Sequence, residues 1–451
     1  MMLIQWDRVR VAGIVKPAIL QIGCLVYFVC LAGYLPADDW TQWRGNNRDG
    51  VWHETGVITS FEKSDLEPLW RRPIGTGYSS PTVANGKVLL MDFDEAKQNE
   101  SVRCFDAKTG EVVWSLTYLS EYRISYTAGP RAAVTIVGDR AFCLGAMGRL
   151  HCLNINDGAV LWEKDLDVDY QVSADRRMPI WGIASSPIAV GDNVIIQLGA
   201  KEASVVAFNQ ESGDEVWRSL NDRGQYASPV LVKQNGTEVL VCWTGDGVAG
   251  LNPTTGTPYW QHPFKPTRMP IGVATPVVNG NKIFLTSFYD GAMMLEMSET
   301  SMEVKQLWHL IGPNERKTAA LHSIISTPIW IGDYIYGVDS YGELRCIRAS
   351  DGERVWEDLS AVERQRWATI HFVAHGSNTW MLNEQGELMI GQLTGDGLNV
   401  TSRETILTPD QMRTPNRKGG VCWSHPAFAN RCIFLRNDRE LICIDLAAPK
   451  K

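Results

Sequence analysis

"FDAKTGEVVW", residues 105–114, returns along the chain in altered form. "LNINDGAVLW" occupies 153–162, "FNQESGDEVW" 208–217, "LNPTTGTPYW" 251–260 and "IRASDGERVW" 347–356. The spacing is fixed in all five. An apolar residue precedes a polar one, glycine follows four residues later, and tryptophan four after that. The side chain of Asp106, Asn154, Asn209 or Asn252 can hold its own turn. Gly110, Gly158, Gly213, Gly256 and Gly352 take the left-handed position of that turn. The tryptophan then lies on the following strand. A large ring at a constant site in each unit suits a wedge between neighbouring sheets.

Each unit reads as paired hairpins. "SSPTVANGKVLLMD" at 79 and "SVRCFDAKTGEVVW" at 101 are both strand, turn, strand. Tryptophans 70, 114, 162, 217, 260, 308 and 356 mark successive outer strands, and an eighth, tryptophan-less equivalent lies near "SRETIL" at 402. Their spacing of 43 to 55 residues is that of a four-stranded blade. Most units open on a small residue and a proline: "SSP" at 79 and 185, "ASP" at 227, "ATP" at 274, "STP" at 326 and "SHP" at 424. Small residues there fit an innermost strand, where blades crowd toward an axis. The copy at 131 lacks the proline, and the copy at 371 is degenerate.

The ends complete one another. The last copy stops before its tryptophan strand, and "LEPLWRRPI" at 66–74 stands alone before the first full copy. This predicts an all-β, eight-bladed propeller over 66–447, its N-terminal strand joining the last blade and removing free sheet edges. Seven blades is the alternative, if the copy near 365–407 is not a full blade. Residues 38–65 read as an extension outside the repeat, so losing 38–50 should cost far less stability than losing 66–74.

The first 37 residues carry Arg8, Arg10 and Lys16 ahead of an apolar stretch from Ala18 to about Leu35, with Ala37 before two aspartates. That is the layout of a secretory signal, with an uncleaved membrane anchor as the alternative. The chain is therefore expected outside the cytoplasm, in the periplasm or cell envelope, as a monomer. The formal charge is −8 and no basic run occurs, which excludes nucleic acid as a partner and leaves the N-terminus as the possible route to a membrane. Of ten cysteines, Cys104, Cys152, Cys346 and Cys443 share one repeat position with Ala207 and Gly250. That position reads as a tight packing site using cysteine as a small apolar residue. Cys143 and Cys152 flank a tight turn and could meet across a hairpin.

The repeated phrase resembles the tryptophan-docking motif of quinoprotein-type propellers. With "WTQWRGNNRDGVW" near 40 and "GPRAAVTIVGDRAFCLGAMGRLHCLN" at 129, the chain is similar to exported PQQ-like propeller repeat proteins, a family abundant in planctomycete-type bacteria. The resemblance covers roughly 66–446 and implies the fold more strongly than an activity. Such families include PQQ-dependent alcohol dehydrogenases and a non-catalytic lipoprotein that assists outer-membrane protein assembly. The dehydrogenase resemblance would call for an adjacent cysteine pair beside the cofactor, and this chain has neither that pair nor a C-x-x-C-H haem motif.

No catalytic residue is assigned. Asp165, Asp167 and Asp169 in "KDLDVDY" are a weak calcium candidate, since no glycine or distal glutamate follows in register. His371 and His375 would sit too far apart on a strand for one zinc ion. The stronger candidate is the funnel. Three positions ahead of each proline equivalent stand Tyr78, Arg131, Ala184, Tyr226, Val273, Ile325, Ile370 and Trp423, with Trp181 and His322 just upstream of two blades. Of these, Tyr78, Arg131, Trp181, Tyr226, His322 and Trp423 are the candidate ligand-binding residues. Rings and an arginine suit a ligand with apolar faces and an anionic or hydroxylated edge. The expected function is an exported, non-catalytic binding or scaffolding module with a small ligand or protein partner at the funnel mouth and no cofactor. The alternatives are a PQQ-dependent oxidoreductase with calcium, and a carbohydrate-active propeller using acids such as Asp175, Glu202 and Glu384.

Overall fold

The computed structural model describes residues 38–125, 129–409, 417 and 419–449. The N-terminal segment 1–37, with its signal or anchor reading, lies outside the described residues. The rest is built from eight four-stranded antiparallel sheets arranged as a propeller ring. Blades 1 to 7 run 82–119, 135–165, 188–219, 230–263, 277–310, 329–358 and 370–405. The degenerate seventh copy is a full blade, so the seven-bladed alternative falls.

The eighth blade joins both ends of the chain. Pro68–Pro73 pairs antiparallel with Glu440–Asp445, giving this sheet its outermost strand.

The repeated phrase folds as one device. The Asp106 carboxylate accepts from the backbone N–H of Lys108 and Thr109, at 3.0 and 2.7 Å, and Asn209 and Asn252 do the same in their copies. Glycine follows at positive φ, +69° at Gly110 and +72° at Gly256. The glycine has a second role, because a tryptophan of the preceding blade lies against it. A β-carbon at Gly110 would stand 2.5 Å from the Trp70 ring, and one at Gly256 would stand 2.4 Å from Trp217. Gly158 and Gly213 meet Trp114 and Trp162 in the same way, and Gly352 meets Trp308.

Each indole also donates across the blade boundary. Trp70 donates to Ala107 O, Trp114 to Ile155 O, Trp162 to Gln210 O, Trp217 to Pro253 O, Trp308 to Ala349 O and Trp356 to Thr394 O, at 2.9–3.1 Å. Blade 5 has no such glycine turn. There Trp260 donates to the Gln234 side-chain oxygen, and the Gln234 amide passes the link to carbonyls of Ser298, Ser301 and Glu303. Trp70, Trp114, Trp162, Trp217 and Trp260 are buried. Trp308 and Trp356 are half-buried, although the wedge reading of the repeated ring predicts burial for Trp356 as for Trp114, Trp162, Trp217 and Trp260. Blade 7 offers Trp356 the short Thr394–Gly397 hairpin instead of the longer glycine loop, so less of the ring is covered.

Strand register explains the cysteine position. Cys104, Cys152, Ala207, Gly250, Cys346 and Cys443 stand directly opposite Trp114, Trp162, Trp217, Trp260, Trp356 and Trp70. A larger residue would meet the ring, as the 2.3 Å approach of a β-carbon at Gly250 to Trp260 shows. Cys143 and Cys152 are free thiols: Cys143 faces His151, and Cys152 faces Phe142.

Residues 38–58 are not a dispensable extension. They cross the face opposite the funnel mouth and seal the axis from within. Trp40 pairs with Val83, Val51 pairs with Ala374, and Trp52 packs on Trp380 and Phe428. Arg48 is buried at the centre, its guanidinium donating to the carbonyls of Ser186, Pro187 and Pro229 on blades 3 and 4, while Nε reaches Gln42. Burial lowers Arg48 to about 9 and Arg44 to about 10, the latter against the pull of Asp49. Carbonyl oxygens that innermost strands leave unpaired at an axis suit a guanidinium fork. Further along, Phe61 packs on Trp380 and its N–H donates to Ser402 Oγ, on the outer strand of blade 7, a strand that carries no tryptophan.

Candidate functional site

The small residues that lead the innermost strands carry hydroxyls for a reason. Ser186 Oγ accepts from Ala133 N on the preceding blade, Ser228 Oγ from Ser186 N, and Thr327 Oγ1 from Thr275 N. These bonds at 2.9–3.1 Å tie blade to blade around the axis. They also fix the residues just upstream, which converge on one cavity.

That cavity encloses about 870 Å³, solvent at its mouth included, and all eight blades contribute to it. Tyr78, Arg131, Trp181, Ala184, Tyr226, Val273, Ile325 and Trp423 line it, as do Ile324, Trp367, Ser186 and Ser228. Trp43 of the N-terminal segment reaches it from the sealed side, held by Nε1–H donating to Thr275 Oγ1 at 2.8 Å.

The rings form a continuous chain. Tyr78 lies 5.8 Å from Trp423, Trp423 6.5 Å from Trp367, Trp367 5.8 Å from Trp181, and Trp181 4.9 Å from Tyr226. Trp181 precedes blade 3 and Trp367 precedes blade 7, so their contact spans the axis. Arg131 sits between the ends of this chain, its guanidinium 5.5 Å from the Tyr78 ring centre and donating to Gly129 O at 2.8 Å. Burial draws Arg131 below its ordinary value, while Tyr78, Tyr122, Tyr226 and Glu100 act in the opposite sense.

Two buried carboxylates stand behind the walls. Glu384 accepts from Trp423 Nε1 at 3.0 Å and pairs with Arg417, which lies over the same indole and also donates to Arg366 O. Glu100 accepts from Tyr118 and Tyr122 hydroxyls at 2.6 and 2.5 Å and from Ala146 N. Burial raises both carboxyls.

Of the six candidate funnel residues, five line the cavity and His322 does not. His322 is fully buried beside Phe288, its Nδ1 at 3.1 Å from Phe288 O and its Nε2 accepting from Gly312 N. Its backbone N–H goes to Asp339, and its ring is held between Phe288 and Gly312, away from the cavity. Ile370 is likewise buried, and Trp367 takes the place at the cavity. Trp367 had a signal: it stands three residues ahead of Ile370, as Trp181 stands three ahead of Ala184. Trp43 had none, because it belongs to no repeat. Asp165, Asp167 and Asp169 do not alternate along one strand. Asp165 caps the helical turn Leu166–Asp169, accepting from Val168 N, and Asp167 accepts from Ser173 N. Among the described residues no three His, Cys, Asp or Glu side chains are grouped for a metal. Asp175 and Glu202 are exposed, while Glu384 is buried behind Trp423.

Two histidines sit between the cavity wall and the N-terminal segment. His371 Nε2 lies 2.9 Å from Trp423 O, and its ring is 5.0 Å from that of His425, which packs on Trp40 and Trp43. Burial pushes His371 down to about 4 and His425 well below its ordinary value, with Arg44 acting the same way on both. Both are neutral in the fold at pH 7 and bind protons more readily when unfolded. Their contribution is complete above about pH 6.5 and is lost as pH falls toward 4, by up to about 1.4 kcal/mol per pH unit for each. Glu100 and Glu384 have the opposite sign, so the check is a difference. Denaturant midpoints at pH 7.5 and 5 should fall less in a His371→Gln/His425→Gln variant than in the parent. An equal fall would refute the assignment.

An eight-bladed propeller with an aromatic axial cavity, sealed at one end by its own N-terminal segment, defines the structural class. A family profile described as "Outer membrane protein assembly factor BamB" matches residues 47–120 and 98–358. The chain belongs to this family of PQQ-like β-propeller repeat proteins. It is 24% identical over 356 residues to the assembly factor BamB of Burkholderia pseudomallei, covering 77% of this chain and 73% of the relative. It is 22% identical over 325 residues to BamB of Shewanella oneidensis, covering 66% and 72%. The solved BamB of Moraxella catarrhalis superposes with a TM-score of 0.56 at 16% identity, over 86% of this chain and 99% of that one. Quinohemoprotein alcohol dehydrogenase of Comamonas testosteroni gives 0.58 at 11% identity, over 92% and 81%, a likeness of fold alone. Among the described residues no helix is long and apolar enough to cross a membrane.

Proposed function

We propose that this chain is a non-catalytic binding and scaffolding propeller of the bacterial cell envelope, engaging a ligand or partner segment at its aromatic mouth. The observation that carries this reading is the ring chain Tyr78–Trp423–Trp367–Trp181–Tyr226 with Arg131 between its ends. Large rings held on separate rigid blades offer contact area at low entropic cost. The names of the BamB relatives support a role in assembly over one in turnover.

The donor set speaks against the quinone alternative. A PQQ carbonyl needs a bound cation to polarise it, and calcium wants several carboxylate oxygens. Among the described residues the cavity lining holds no carboxylate, and the nearby Glu100 and Glu384 are engaged with tyrosine hydroxyls and with Arg417 and Trp423. These residues do not fit a calcium-held quinone.

The test places a photo-crosslinking residue at Trp181 in cells, with a second at the exposed Val113 on an outer strand. Crosslinking from 181 and not from 113 is expected, and an unlabelled mouth would count against the reading. In parallel, dye-linked alcohol oxidation with added PQQ and calcium should stay at background. Robust turnover would make the oxidoreductase the better reading.

A further inference from the structure

The cavity is not evenly lined, and its asymmetry describes an occupant. Among the described residues that line the cavity, Arg131 is the single ionised side chain. Tyr78 and Tyr226 flank it on blades 1 and 4. In a ring of eight, blade 2 faces blade 6, and there the lining is Ile324 and Ile325, with Val273 and Trp367 to either side. Ser186 and Ser228 each accept a blade-to-blade bond and stand on blades 3 and 4, on the same side of the cavity as Arg131 and Tyr226. Polarity is therefore concentrated at one corner, and the opposite wall is aliphatic and aromatic.

We propose that the cavity binds a small, flat aromatic monocarboxylate, its carboxylate at Arg131 and its ring system directed toward blades 5 to 7. This rests on the binding reading above and names the chemistry of the occupant. Arg131, the one cation among the described lining residues, calls for one carboxylate at its corner. A second carboxylate would lie against Ile324 and Ile325, where an unpaired anion is costly. The ring faces of Trp181, Trp367 and Trp423 favour a planar body over a flexible chain, because offset and edge-on ring pairs add to plain burial. Trp43 stands at the far end, held on Thr275, which limits the length of an occupant. A polyhydroxylated sugar is disfavoured, since its hydroxyls would meet few free polar groups.

The experiment uses the purified protein and reads tryptophan fluorescence and calorimetry with four probes: 2-naphthoate, 2-naphthamide, naphthalene-2,6-dicarboxylate and octanoate. 2-Naphthoate should bind with quenching, and the amide should bind more weakly by roughly 10- to 100-fold, the value of a charge-assisted contact. The dicarboxylate and octanoate should both bind worse than 2-naphthoate. Arg131→Gln should bring acid and amide to equal affinity, and Arg131→Lys should restore part of the preference. Ala184→Trp, which fills the cavity from blade 3, should abolish binding of both naphthyl probes. Because the acid–amide comparison is made on the parent, a misfolded variant does not spoil the test. Equal binding of acid and amide by the parent would overturn the carboxylate assignment. Octanoate binding as tightly as 2-naphthoate would overturn the aromatic one. If no probe binds while the mouth still crosslinks in cells, this ligand class is wrong and the binding module stands. If neither occurs, both fail.

Discussion

Replacing residues 66–74 by a Gly-Ser segment of equal length is expected to abolish the closed ring. The segment supplies Pro68–Pro73, the outermost strand of blade 8, and its loss bares the backbone edge of Glu440–Asp445. It also removes Trp70, which lies on Gly110 of blade 1 and donates to Ala107 O. One strand thus serves both its own sheet and the seam between the last blade and the first. The expected loss exceeds about 5 kcal/mol, a large share of what holds a domain together. The informative control moves "EPLWRRPI" to the C-terminus, where it would follow Glu440–Asp445 as an ordinary hairpin strand. Denaturant unfolding of the parent, the replacement and the transplanted chain should rank the transplant near the parent. A replacement as stable as the parent would disprove the closure account. Residues 38–58 must remain in all three proteins, because Arg48 and Trp40 seal the axis.

The second large effect concerns the repeated tryptophans. Trp114→Ala, Trp162→Ala and Trp217→Ala should each cost about 3–5 kcal/mol, as for other buried large aromatics. Each ring lies against a glycine of the next blade and is hydrogen-bonded to a carbonyl there, so truncation opens a void at the blade seam and strands an acceptor. Trp356→Ala should cost clearly less, because its ring is half-exposed over the short hairpin of blade 7. Gly256→Ala should rival Trp217→Ala, since it forces a side chain onto φ +72° and into the Trp217 ring. Chemical denaturation of the five variants gives the ranking. Losses below about 1 kcal/mol at the buried three would contradict the account.

How much of this was legible follows from contact range. A blade is a run of hairpins whose contacts are local, so its grammar is written in consecutive residues. The Asp106-to-Gly110-to-Trp114 spacing encodes a turn, a left-handed glycine and a ring in one phrase. Repetition of that phrase was enough to predict eight blades and the closing strand at Pro68–Pro73, and it marked the Cys/Ala/Gly position as a tight packing site, which the strand register then set opposite six of the tryptophans. The repeat frame also placed Tyr78, Arg131, Tyr226 and Trp423 at one mouth, because equivalent positions in a ring converge. It misplaced His322, whose ring is held by Phe288 and Gly312, contacts that no periodicity reveals. Residues 38–58 had no copy to align with, and they read as an extension. Their role depends on carbonyl oxygens of Ser186, Pro187 and Pro229, left free at the axis and more than a hundred residues away in sequence. The meeting of Trp181 with Trp367 across that axis is of the same kind. The sequence by itself therefore determined the blade grammar, the closing strand and most of the residues at the inner ends, and left the number of blades between eight and seven. Only the tertiary structure decided what fills the axis, because side chains from opposite blades and from a non-repeating segment meet there through closure of the ring.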